Sequence, residues 1–138
     1  MNKNNHDKEI DNEEIFHLTY TSFIDELNAL SQSPEIACEL EGHYNVAYEF
    51  WYLIPNKTLL QNTLGLLSDA QITDLQKLFN DIKNLPQEAY AWTDVAEESL
   101  KNMRHPAWVS VRKLAKELLS SLAPITQLNY EYINTPQH

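Results

Sequence analysis

MRHPAWVSVRKLAKELLSSL, residues 103–122, decides the fold. Val111, Leu114, Ala115, Leu118, Leu119 and Leu122 recur at spacings of three and four, and Trp108 extends them toward the N-terminus, so one apolar stripe runs along a helix. Arg112, Lys113, Lys116 and Glu117 fall on the other side. Pro106 suits the first helical position, where a missing N–H costs nothing. A helix this amphipathic must bury its stripe, and other helices must cover it. It is expected to be the central packing element.

The segments upstream supply that cover. SDAQ, residues 68–71, is a capping box with Ser68 as N-cap and Gln71 reaching back. The helix it starts carries Ile72, Leu75, Leu78, Phe79, Ile82 and Leu85 at helical spacing and stops at Pro86. Residues 87–93 read as a loop, and Thr93 as the cap of the helix DVAEESLKNMR that follows. Thr58 to Leu67 reads as a short apolar helix. HYNVAYEFWYLIP, residues 43–55, reads as an aromatic helix ending before Pro55. It is apolar on two faces, Tyr44, Ala47, Tyr48 and Trp51 on one, Val46, Phe50, Leu53 and Ile54 on the other.

Ser33 and Pro34 start a helix that Gly42 interrupts. In residues 15–30, Phe16, Tyr20, Phe23, Leu27 and Leu30 fit a helical stripe. IFHLTY, residues 15–20, also suits a short strand, and helix is the preferred alternative. Residues 1–11 are polar and expected to be a disordered acidic arm. The tail APITQLNYEYINTPQH lacks a stripe and reads as an arm, an edge strand or disorder. The expected architecture is all-α: a single-domain compact bundle of about six helices over residues 12–123, with a C-terminal arm at 124–138.

Composition narrows the function. The 138 residues hold only two glycines, Gly42 and Gly65, too few for phosphate-cradling loops or many tight hairpins. No apolar run approaches the ~20 residues that span a bilayer, and the N-terminus lacks the apolar core of a secretory signal. A lone Cys38 cannot form an internal disulfide. These features point to the cytoplasm. The net charge is −10, and residues 1–50 carry eleven acids against Lys3 and Lys8, hence −9 of it. Such a field repels nucleic acid and anionic lipid and attracts basic proteins.

Side chains with potential chemistry are sparse. His6, His17, His43, His105 and His138 have no metal-ligand spacing to one another, to Cys38 or to carboxylates. Cys38 sits among acids that raise a thiol pKa, which suits a small core residue better than a nucleophile. Glu35, Glu39 and Glu49 could pair for glycoside chemistry only inside a cleft, and carboxylates this dense on helices usually form a solvated face. The basic run Lys101, Arg104, Arg112, Lys113 and Lys116 is expected to pair with the acidic third. No catalytic residue, metal or cofactor is expected.

Aromatic rings among acids are the best interaction signal. Tyr44, Tyr48, Trp51 and Tyr52 supply contact area, and Asp25, Glu26, Glu35, Glu39, Glu41 and Glu49 supply steering, so together they are the expected partner-binding residues. The competing account is a core aromatic helix beside a solvated acidic segment.

HPAWVSVRKLAKELLSSL, preceded by an aromatic helix ending in YLIP, resembles the small helical immunity proteins of bacterial toxin–immunity systems, including contact-dependent growth inhibition. The likeness spans residues 44–122. It implies a cytoplasmic, non-enzymatic protein that binds and neutralises a co-inherited toxin domain, often a basic nuclease. These proteins share no catalytic residues, so none is carried over. A helical adaptor or regulatory subunit with another protein partner is the alternative, and a small hydrolase is the third. Neither nucleic acid nor membrane is expected as a partner.

Overall fold

The computed structural model describes residues 3–56, 58–61 and 63–135, without the side chains of 3–11, 58 and 61. Among these the chain is all-helical: α1 (Lys3–Leu30), α2 (Pro34–Leu40), α3 (Val46–Leu53), α4 (Asp69–Lys83), α5 (Ala96–Met103), α6 (Trp108–Ser121) and α7 (Ala123–Ile133). Short 3-10 turns cover Thr58–Gln61 and Gln87–Ala89. They form one bundle about a single apolar core.

Helix α6 packs between α1 and α4, as its stripe requires. Trp108, Val111, Ala115, Leu118 and Leu122 are buried, and Leu114 and Leu119 pack half-buried at the margin. Trp108 is the keystone. Its ring is fully buried, meets Phe50 edge-to-face at 6.3 Å, and its Nε1–H donates to the Ala89 carbonyl at 2.8 Å. Burying an indole is favourable only if its N–H finds such a partner.

The helix itself starts at Trp108, two residues after Pro106. His105 caps the preceding turn, its Nδ1 accepting the Ala107 N–H at 3.0 Å. Arg112 does not simply face solvent: it is half-buried and its Nη2 donates to the Met103 carbonyl at 3.1 Å.

Helix α1 carries the expected stripe, with Phe16, Tyr20, Phe23, Leu27 and Leu30 all buried. Residues 15–20 are helix, not strand, and helical backbone begins at Lys3, inside the stretch expected to be a disordered arm. Residues 1–2 and the side chains of 3–11 lie outside the described residues.

The Ser33 cap forms, with Ser33 Oγ accepting the Ile36 N–H at 3.3 Å. Gly42, at φ +89°, closes α2. The His43 N–H then returns to the Cys38 carbonyl at 2.7 Å, the long bond of a Schellman motif. The aromatic helix begins at Val46 rather than His43, because His43 (φ 73°) and Asn45 (φ 55°) are left-handed. Ser99 Oγ on α5 accepts the Val46 N–H at 3.0 Å, and Asn45 Oδ1 accepts the Thr93 N–H at 3.0 Å, so α3 is fixed by its neighbours.

The capping box of α4 is complete: Gln71 Oε1 accepts the Ser68 N–H at 2.8 Å and Ser68 Oγ accepts the Gln71 N–H at 3.1 Å. Leu75, Leu78, Phe79, Ile82 and Leu85 are buried.

Further expectations need correction. Residues 58–67 do not make a helix: the 3-10 turn stops at Gln61, and Leu64 (φ 53°) and Gly65 (φ 71°) are left-handed, which an α-helix cannot continue through. Thr93 precedes α5 by a short turn, its Oγ1 accepting the Val95 N–H at 3.1 Å, while α5 itself starts at Ala96.

Through Ile133 the tail is helix, neither arm nor strand, and residues 136–138 lie outside the described residues. Helix α7 abuts α6 at Leu122 and packs along α1. Its Pro124 sits in the first turn, where proline is tolerated. The seam with α1 is polar, which is why no apolar stripe announced it. Asn129 is buried there, and Tyr20 Oη lies 2.9 Å from Thr126 Oγ1 and donates to the Leu122 carbonyl at 3.3 Å. Burial of that phenol pushes its pKa up to about 12, with the Thr126 hydrogen bond opposing.

Candidate functional site

The acids and rings chosen from the sequence do not form one group. Asp25 and Glu26 lie on α1, Glu41 is the C-cap of α2, and Glu49 is in the first turn of α3. Burial raises the Glu41 carboxyl above its usual value, and the negative charges of Glu26, Glu49 and Asp25, in that order, raise it further. Like charges disfavour the ionised form of a neighbouring carboxyl. Carboxylates of α1 and α3 thus act on the C-cap of α2.

Glu35 is drawn elsewhere. Its Oε2 meets Arg104 Nη2 at 2.6 Å and Nε at 2.8 Å. That hydrogen bond is the main cause holding its carboxyl below the ordinary range. The basic run thus pairs in part with the acidic third, as expected, at an exposed position where an ion pair contributes little. Glu39 is exposed on α2 and does not join the Glu41 centre.

The rings divide as well. Tyr44 (59% exposed) and Tyr52 (53% exposed) present open surface. Tyr48 is half-buried and stacks parallel to Tyr52 at 6.3 Å, so the two rings form a platform on the outer side of α3. Glu49 lies between them in sequence. Leu53, also exposed, lies one turn beyond Glu49. Trp51 turns inward instead. It stacks on Tyr90 at 4.2 Å, nearly parallel, and its Nε1 is buried with no hydrogen-bond partner among the described residues. Trp51 is therefore mainly part of the wall between α3 and the Gln87–Ala89 turn, while the buried side of α3 is Val46, Ala47, Phe50 and Ile54.

Nucleophilic chemistry has little support at Cys38. The side chain is buried, and burial is the main cause raising its thiol pKa, opposed by a hydrogen bond with Ser99. Among the described residues no three His, Cys, Asp or Glu side chains could hold a metal ion. No described helix is long and apolar enough to cross a membrane. His6 and His138 lie outside the described side chains.

One polar centre lies outside every residue chosen from the sequence. His17, buried in α1, joins Asn129 of α7 at 2.8 Å and stacks on Tyr132 at 3.8 Å. The signal was a histidine one residue past Phe16 on the core face and an asparagine on a helix with few apolar positions. Neither is distinctive until α7 is known to be a helix. In comparisons with known proteins, the chain matches no family model, no curated protein and no solved structure.

Proposed function

We propose that this chain is a non-enzymatic, cytoplasmic immunity protein that neutralises a basic toxin domain, one of nuclease type, through the junction of α1, α2 and α3. The observation that carries the reading is the action of Asp25, Glu26 and Glu49, from α1 and α3, on the Glu41 carboxyl, with the stacked Tyr48 and Tyr52 rings on the same helix as Glu49. Gathering four carboxylates costs stability through mutual repulsion, and a basic partner offsets that cost on binding. The rings add buried area at low entropy cost, the usual chemistry of an interface anchor. The resemblance of residues 44–122 to immunity proteins supplies the identity of the partner class.

Co-purification from the native host under low salt should recover a basic protein domain. With that domain, the association rate should fall steeply as salt rises, from the 10⁸–10⁹ M⁻¹s⁻¹ range that steering permits toward about 10⁵–10⁶ M⁻¹s⁻¹. The Glu41→Lys/Glu49→Lys double variant should associate slowly at every salt concentration. A folded double variant that binds at the wild-type rate and still protects cells would sink the proposal.

A further inference from the structure

A cleft of about 430 Å³ opens between α1, α7 and the Leu64–Leu66 loop. Helix α1 gives it Glu13 and His17, one turn apart, and α7 gives it Leu128, Glu131 and Tyr132 on one side of the helix. Leu64 and Leu66 complete an apolar wall. Two carboxylates and a buried imidazole therefore surround a hydrocarbon surface, and no lysine or arginine is among the described residues that line it.

The hydrogen-bond network assigns the histidine tautomer. Thr21 Oγ1 donates its only hydrogen to the His17 carbonyl at 2.8 Å. It must then accept from Asn129 Nδ2, 2.8 Å away. That orients Asn129 Oδ1 toward His17 Nδ1, also at 2.8 Å, so Nδ1 carries the proton. In the neutral ring Nε2 is left as a bare acceptor, and it has no hydrogen-bond partner among the described residues. His17 is only 6% exposed, and the cleft is where its ring meets open space. An acceptor pinned in one tautomer, opening on the cleft and with its lone pair unused among the described residues, suits a donor from outside.

We propose that this cleft binds a guanidinium group carried on an apolar stem. A guanidinium offers five N–H donors in a plane and no acceptor, which matches two carboxylates and one imidazole lone pair. The stem would lie on Leu64, Leu66 and Leu128. The cleft holds a group of this size comfortably, and it is distinct from the α1–α2–α3 junction. The same chemistry could reach it as a free small cation or as an arginine side chain of another protein.

The test is titration of the full chain with butylguanidinium chloride, followed by the ring nitrogen and proton signals of His17 in NMR. Saturable movement of the Nε2 resonance is expected, with a Kd of roughly 1 mM or tighter for a ligand this small. Glu131→Gln should weaken binding by roughly tenfold through loss of a charged hydrogen bond, and Glu13→Gln similarly. Both residues are exposed, so far-UV circular dichroism should remain wild-type. Neutral butylurea should not bind. N-acetylarginine amide, run in parallel, distinguishes the sources: if it binds as well as butylguanidinium, a protein arginine fits, and if it is excluded, the ligand is a free small cation. Absence of saturable shifts, equal binding of butylurea, or unchanged affinity in both glutamine variants would overturn the proposal.

Discussion

Replacing Asn129 by leucine removes the polar link that docks α7 without opening a void, because leucine keeps the branched shape and is the larger side chain. The His17 Nδ1–H then faces a hydrocarbon. A buried donor left without its acceptor costs about 1–3 kcal/mol. Thr21 Oγ1 is half-buried and can turn to water, so its loss adds little. At about 2.1 cal/mol/K per residue, the 138 residues have an unfolding entropy near 0.29 kcal/mol/K. The melting temperature should therefore fall by about 3–10 °C at pH 7.5. The double variant His17→Phe/Asn129→Leu removes donor and acceptor together and keeps a ring against Tyr132. It should recover most of the loss, because replacing both partners by apolar groups is nearly neutral. Thermal unfolding by circular dichroism and urea midpoints on the four proteins of the cycle measure the coupling. A single variant within about 0.5 kcal/mol of wild type, or a double that loses as much as the two singles combined, would refute the assigned network.

Two further outcomes follow from the core and the acidic centre. Trp108→Phe should cost about 2–4 kcal/mol, since it strands the buried Ala89 carbonyl and leaves a gap, whereas Trp92→Phe at a 63% exposed position should stay within about 0.5 kcal/mol in urea unfolding. Glu41→Gln should raise the melting temperature at pH 7. The Glu41 carboxyl is raised in the folded chain, so its protonated form favours folding below the ordinary value of 4.5, and that advantage is lost as pH climbs through the folded value. The gap between wild type and variant should therefore close toward pH 4.5, and a gap that widens on acidification would show the wrong sign.

Where apolar spacing or cap chemistry was strong, the chain could be read directly. The stripes of α1, α4 and α6, the Ser68–Gln71 box and the Ser33–Pro34 start each rest on interactions within a few residues, and each forms. Where an element depends on distant partners, local pattern misleads. The start of α3 is set by Ser99 and Thr93, more than forty residues away. Residues 58–67 are apolar enough for a helix, but Leu64 and Gly65 bend the loop over the α1–α7 cleft. Helix α7 binds through Thr126 and Asn129, so its docking face has the composition of a loop. In the candidate site, sequence could place acids and rings on neighbouring segments. It could not show that Glu35 is taken by Arg104, that Trp51 turns onto Tyr90, or that Asp25, Glu26 and Glu49 act on Glu41 from two other helices.

The distribution of charge bears on why the acidic centre exists. A fold that needed only solubility could scatter its carboxylates and pair them, as Glu35 pairs with Arg104 and Asp81 with Lys77. Instead Glu41 is partly buried, and the charges of Glu26, Glu49 and Asp25 act on it. Of the basic run, Arg104, the C-cap of α5, and Arg112 of α6 act on Glu35 of α2. The chain thus sets Arg104 against an exposed carboxylate, while three like charges act on the partly buried Glu41. Local stability alone does not favour that arrangement, because moving one cation beside Glu41 would relieve a partly buried carboxylate. A positive charge arriving from outside would do the same. This is the physical basis for reading the junction as a binding face, and it makes the stability gain of Glu41→Gln and the slower association of Glu41→Lys/Glu49→Lys two consequences of one repulsion.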